Sequence, residues 1–241
     1  MQKIFHFFLK IVEHNYKKNL IKILKKNLPN KINTFFDVGA HHGETTTEIS
    51  KIFEIKSAFL FEPNKNNFKI LKKKISYQKK IDKINLLNFA LGDENKNSTI
   101  KEVLESSSST INEINTSTKY FQRKKNILKV FNKNAEIKES QIEVKSASDF
   151  IENHNIKKID FFKIDTEGYE YVILNNLKDY IKNIGLILFE HHYDLMIIKN
   201  YKFKNINNLL LKNNFKQIYK SKMKFRKSFE YIYLNREFKF D

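Results

Sequence analysis

The chain has no cysteine. A disulfide framework and a thiolate zinc site are therefore both excluded, while the redox compartment stays open. Arginine is nearly missing too: of 45 basic residues only Arg123, Arg226 and Arg236 are arginine, leaving 42 lysines. Bidentate contacts to phosphate and guanine favour arginine, and the lysines are spread along the whole chain among Asn and Ile. The formal charge of +18 is thus expected to be solvated lysine surface, with an anionic partner (glycan, lipid or, less favoured, nucleic acid) as the alternative. No long apolar run occurs. Ile4 to Leu9 falls far short of the roughly 20 residues a membrane span needs, and of a secretory core of about 7–15. A cytoplasmic location is the expectation. Nothing in the sequence speaks to oligomeric state.

What is present is enough for one α/β domain. The 241 residues are 41% hydrophobic, with 22 Phe and 11 Tyr, which supports a buried sheet. Residues 1–30 read as an N-terminal basic amphipathic helix and residues 31–241 as the domain, with an insert over 95–148. Apolar positions from Ile4 to Leu28 lie near one helical face, and Lys10, Lys17, Lys18, Lys22, Lys25 and Lys26 fill the rest. Such a helix packs on the domain edge, or else residues 1–28 make a peripheral contact with anionic lipid at the inner membrane surface.

The stretch Thr34 to Thr46 organises the remainder. Phe35, Phe36 and Val38 are strand formers, Gly39 and Gly43 bracket a tight turn, and helical spacing resumes at Ile49, Ile52 and Phe53. A strand feeding a helix in this way is the ligand corner of an open α/β sheet. A dinucleotide fingerprint would need glycine at position 41, and the residue is His41, so a diphosphate is disfavoured. Further strands are expected over Ser57 to Phe61, Ile84 to Leu91, Ile142 to Val144, Ile159 to Ile164, Gly185 to His192, Phe215 to Tyr219 and Phe229 to Leu234, with Ser148 capping a helix that runs to His154. Strand and helix alternate, which implies right-handed crossovers and a mostly parallel sheet with helices on both faces. Over 95–148 the alternation stops, and a lid or substrate loop is expected.

Four apolar runs end on a carboxylate: Asp37, Glu62, Asp165 and Glu190. Gathered at the carboxyl edge of one sheet they would repel each other unless a cation or hydroxyl donors were present. S-adenosylmethionine offers a sulfonium, an ammonium and a ribose diol. Glu62, beside Pro63, is placed to accept the diol, and Asp37 to order the turn and face the amino group through water. Asp165 and Glu167, two residues apart with Lys163 alongside, read as a base with its support, a divalent-metal pair, or a buried ion pair. His41, His42, His191 and His192 are candidate bases because imidazole titrates near neutrality, with His191 and His192 favoured by the acid-ended strand that carries them.

These residues resemble the FkbM family of S-adenosylmethionine-dependent methyltransferases. The blocks Phe36 to Gly43, Phe61-Glu62-Pro63, Ala90-Leu91-Gly92-Asp93, Ser106 to Ser109, Phe162 to Glu170 and Leu188-Phe189-Glu190 occur in the family's order. The resemblance implies a Rossmann-like class I methyltransferase that O-methylates hydroxyls of sugars, polyketides or glycan precursors. It implies Asp37, Gly39, Ala40, His41 and Gly43 on the methionine side, Glu62 and Pro63 at the ribose, and Ala90 to Asp93 near adenine. The family usually carries Asn where this chain has His41. Both residues tolerate a left-handed backbone, so the turn is expected to survive.

Overall fold

A computed structural model describes residues 18–76, 78–103, 108–130, 136–222 and 228–241. Residues 1–17 of the amphipathic stretch, Ser106 and Ser107 lie outside them. Residues 18–27 form a helix, α1. It is followed by β1 (Lys31–Val38), α2 (Glu44–Ser50), β2 (Glu54–Phe61), α3 (Lys65–Ile75) and β3 (Ile81–Leu87). Next come β4 (Ala90–Gly92), β5 (Lys96–Val103), β6 (Ser109–Thr110), α4 (Lys119–Val130), β7 (Ile137–Ser146) and α5 (Ala147–Asn153). The chain closes with β8 (Ile159–Ile164), α6 (Glu170–Asn176), a 3-10 turn over Lys178–Asn183, β9 (Ile184–His192), α7 (Phe203–Lys212), β10 (Phe215–Lys222) and β11 (Ser228–Asn235).

Seven strands make the main sheet in the order β3-β2-β1-β8-β9-β11-β10. All are parallel to their neighbours except β11, which runs antiparallel to both β9 and β10. The strands that carry the order are buried on both faces, so Phe161-Phe162 and Leu186 to Phe189 read as continuous apolar runs. One face packs on α1, α2 and α3 through Leu24, Leu28, Ile49, Leu71 and Ile75; the other packs on α5, α6 and α7 through Phe150, Ile173, Leu174, Ile206 and Leu210. The described part of the N-terminal helix thus sits on the domain, with Leu24 fully buried. Among the described residues no helix is long and apolar enough to cross a membrane.

Three expectations change. The insert is ordered rather than a loop: β5, β6 and β7 pair antiparallel, and β4 joins them parallel to β7, as a second sheet in the order β4-β7-β5-β6. Only one side of it is buried, at Ile100, Ile142 and Val144, and its strands are otherwise mostly polar, as in Lys96 to Thr99 and Lys138 to Gln141. The expected strand Ile84 to Leu91 is two strands in two sheets. Asn88 breaks it, its Nδ2 donating to the carbonyls of Glu62 and Pro63. The helix α5 is capped by Ser146 rather than Ser148, because β7 continues to Ser146, whose hydroxyl accepts the Asp149 N–H.

Candidate active site

The strand order reverses between β1 and β8, and in an open sheet the crevice at that point is where ligands bind. Beyond β1 the chain turns through Gly39 at φ 77°, His41 at φ 50° and Gly43 at φ 82° into α2. His41 does take the left-handed conformation the turn requires. Gly39 is fixed by contact as well as by torsion: a Cβ there would stand 1.9 Å from the carbonyl oxygen of Asp165. Only glycine lets this turn lie against the loop that follows β8.

Glu62 follows β2 directly and is 5% exposed. Its Oε2 accepts the His41 N–H at 2.8 Å and its Oε1 the Asn64 N–H at 2.9 Å. Burial pushes its pKa up to about 7, against the pull of those two backbone donors. A carboxylate offers about four lone-pair positions, so each oxygen keeps capacity for a ligand hydroxyl. The adjoining cleft is walled by Val38, Phe61, Leu91, Ile100 and Ile111, with Glu62 and Asp165 both in its lining. Its donor set fits a nucleoside: an apolar slot for a flat base and a paired acceptor for a diol.

The sequence-predicted residues divide into two groups. Gly39, His41, Glu62, Pro63, Ala90, Leu91, Asp165 and Glu167 line the cleft together. Asp37, Ala40 and Gly43 lie behind its wall. Asp37 is fully buried, accepts the Thr46 hydroxyl at 2.6 Å and stands 3.0 Å from the Lys163 ammonium, so it braces the turn from beneath. Lys163 also donates to the Gly39 carbonyl at 2.9 Å and reaches within 3.7 Å of Asp165. Burial alone would lower its pKa, but the Asp37 and Asp165 carboxylates hold it above the ordinary lysine value. Asp165, with 38% of its side chain exposed, is the most accessible of the three acids that line the cleft.

Glu167 takes φ 52° and turns its carboxylate to His192, 3.0 Å away. Glu190 approaches the same ring nitrogen at 3.4 Å, and Asp194 the other at 3.6 Å. Burial opposes protonation of His192, yet Glu167 and its neighbours raise its pKa well above 6.5. Burial pushes Glu190 up to about 7, and the charge of Asp165 adds to this. The histidine doublet is split, because successive strand residues point to opposite faces. His191 lies among the rings of Tyr193, Tyr201 and Phe203, and burial pushes its pKa down to about 3. His42 is lowered as well, chiefly by burial, and its Nε2 faces Asn67 at 3.2 Å. Among the described residues only His41, His42 and Glu44 have metal-ligand spacing, and Glu44 already lies 3.7 Å from the Lys74 ammonium.

Several members of the site carried no usable sequence signal. Thr110 and Asn112, from the insert, donate to the carbonyls of Glu167 at 2.7 Å and Gly168 at 2.8 Å. Glu170, fully buried, gathers the N–H groups of Thr166 and Gly168 and the Tyr201 hydroxyl onto its carboxylate. The Gly168-Tyr169-Glu170 run hinted at this last role and the hydroxyl residues Ser106 to Thr110 marked the insert's contribution without its partner, but nothing near Tyr201 gave a signal.

Sheet order, switch-point cleft and the acid closing β2 together define a Rossmann-like α/β protein with a nucleoside-shaped ligand site. Residues 37–217 match the Methyltransferase FkbM domain, and the chain belongs to that family. Its fold is similar to that of the FkbM methyltransferase of Methylobacillus flagellatus KT, with a TM-score of 0.52 at 12% identity over 85% of this chain and 44% of that one. This chain therefore spans less than half the length of that protein. Weaker similarity links it to TrmK of M. capricolum, solved with S-adenosyl-homocysteine, with a TM-score of 0.46 at 13% identity over 90% of this chain and 68% of that one. A third is a SAM-dependent methyltransferase of Leishmania major, with a TM-score of 0.48 at 12% identity over 92% and 72%. No curated protein matches the sequence.

Proposed function

We propose that the chain O-methylates a hydroxyl of a sugar, glycan precursor or similar small metabolite, with S-adenosylmethionine as donor. The observation that carries this reading is the cleft whose lining holds both the buried acceptor Glu62 and the accessible carboxylate of Asp165. When bound, the donor supplies a methyl carbon already activated by its sulfonium. The chain's own residues do the rest. Glu62 accepts the ribose hydroxyls, and the apolar walls beside Leu91 and Ile100 hold the base and exclude water.

An alcohol is a weak nucleophile until its proton leaves, so a positioned base must receive it. Asp165 has that role: of the acids lining the cleft, Glu62 is held by two backbone N–H groups and Glu167 by the His192 ring, which leaves Asp165 as the accessible one. Lys163 positions it from below, and the Glu167–His192 pair fixes the loop beside it. Calorimetry with S-adenosylhomocysteine, followed by methyl transfer to a panel of sugars, tests the reading. Asp165→Asn is expected to lower turnover by about 10²–10⁴-fold while product affinity stays within about twofold. Unchanged turnover would refute the base, and no binding at millimolar donor would refute the whole reading.

A further inference from the structure

The residues from the end of β9 to the start of α7, His191 to Lys204, line a second groove. This groove and the cleft share a partition. Glu167 lines the cleft, His192 lines the groove, and their side chains meet at 3.0 Å. Gly168 packs tightly in the seam, since a Cβ there would lie 2.9 Å from Ile197 and 3.1 Å from Lys199 of the groove wall. The partition is therefore thin, with Glu167 and Asp165 on its cleft side and His192 on its groove side.

The groove's chemistry is specific. Tyr193, Tyr201 and Phe203 ring His191 at centroid distances of 4.7, 5.8 and 5.7 Å, and Tyr193 is 44% exposed. Flat aromatic faces of this kind pack on the apolar C–H face of a pyranose, and the Tyr193 hydroxyl is tied back to that of Tyr231 at 2.7 Å. The Nδ1 of His191 is buried in this wall and has no hydrogen-bond partner among the described residues. A buried polar atom is costly without a partner, and a ligand hydroxyl would supply one. Burial keeps this ring neutral, so it can serve a hydroxyl as donor or acceptor. Lys199, Lys202 and Lys204 edge the groove. Its one acid, Asp194, is turned to His192, and the Lys199 ammonium is held by the His192 carbonyl, which leaves Lys202 and Lys204 as the outward cations.

We infer that this groove seats the methyl acceptor and that the acceptor is an acidic saccharide, its ring on Tyr193 and Phe203, one hydroxyl at His191 and its anionic substituent at Lys202 and Lys204. The link to catalysis rests on the O-methylation reading, but occupancy of the groove is read without turnover. Calorimetry of the full chain against trigalacturonate, sialyllactose and glucose 6-phosphate, each beside its neutral counterpart (the methyl ester of either carboxylate, and glucose), separates the charge from the ring.

At least one acid is expected to bind tenfold or more above its neutral counterpart. Tyr193→Ala and the double variant Lys202→Gln/Lys204→Gln are each expected to weaken that binding about fivefold or more, with S-adenosylhomocysteine affinity held within about twofold. Equal binding of acid and neutral forms, binding indifferent to the groove variants, no binding by any acid, or displacement of the sugar by a thymidine oligonucleotide would each overturn the inference. Failure of S-adenosylhomocysteine to bind would instead strike the donor reading, and the saccharide titrations would still report on the groove.

Discussion

Replacing Glu62 by Gln is expected to flatten part of the pH dependence of stability. Burial carries the carboxyl from its ordinary 4.5 to about 7, even though two backbone N–H groups favour the ionised form. With the folded value raised, its stabilising contribution is fully present below pH 4.5 and is lost as pH rises through about 7. At 1.36 kcal/mol per pH unit, the interval between 4.5 and about 7 corresponds to about 3 kcal/mol. Burial also carries Glu190 and Glu230 to about 7, so the wild-type profile is a composite and only its difference from the variant isolates Glu62.

The assay is urea denaturation of both proteins at about pH 5 and about pH 8. Glu62→Gln is expected to gain about 2–3 kcal/mol on wild type between those conditions, whatever constant cost its amide incurs by presenting NH2 to a backbone N–H. Donor binding moves the opposite way. Hydrogen bonds to the ionised oxygens contribute about 1.5–3 kcal/mol, so wild-type affinity for S-adenosylhomocysteine should strengthen through pH 7 and the variant's should stay flat and weaker. A relative stability change under about 0.5 kcal/mol, or equal affinities at about pH 8, would refute the assignment of this buried acid to the donor.

Two further outcomes concern the scaffold beneath the cleft. Gly39→Ala drives a methyl to within 1.9 Å of the Asp165 carbonyl at a backbone φ of 77°, and is expected to cost about 4 kcal/mol or abolish folding; a melting temperature close to wild type would contradict the close approach. Lys163→Met leaves Asp37 charged and buried, at a cost of about 3–5 kcal/mol, and adding Asp37→Asn should restore most of it. If denaturation finds the double variant no better than the single, the ion pair is not what holds the turn.

The main sheet was legible because its strands are covered on both faces, which leaves unbroken runs such as Phe161-Phe162. The insert was not, because β5 and β7 bury one side only and carry Lys, Glu and Ser on the other. Within the site, acids at strand ends could be read directly, as Glu62 and Asp165 illustrate. Their division of labour could not. Asp37 is taken up by Lys163, and Glu167 by His192 from 25 positions further on, and such pairings depend on sheet order and strand facing rather than on spacing. For the same reason the His191-His192 doublet looked like one feature and is two.

The hydrogen bonds from Thr110 and Asn112 to the loop after β8 have a consequence for how this architecture diversifies. A transplanted insert would bring fresh walls but strand two carbonyls at the reaction centre, so preferences cannot be exchanged as a detachable module. The seam has to travel with the graft, and viable chimeras would need to keep a hydroxyl and an amide at those two points of attachment.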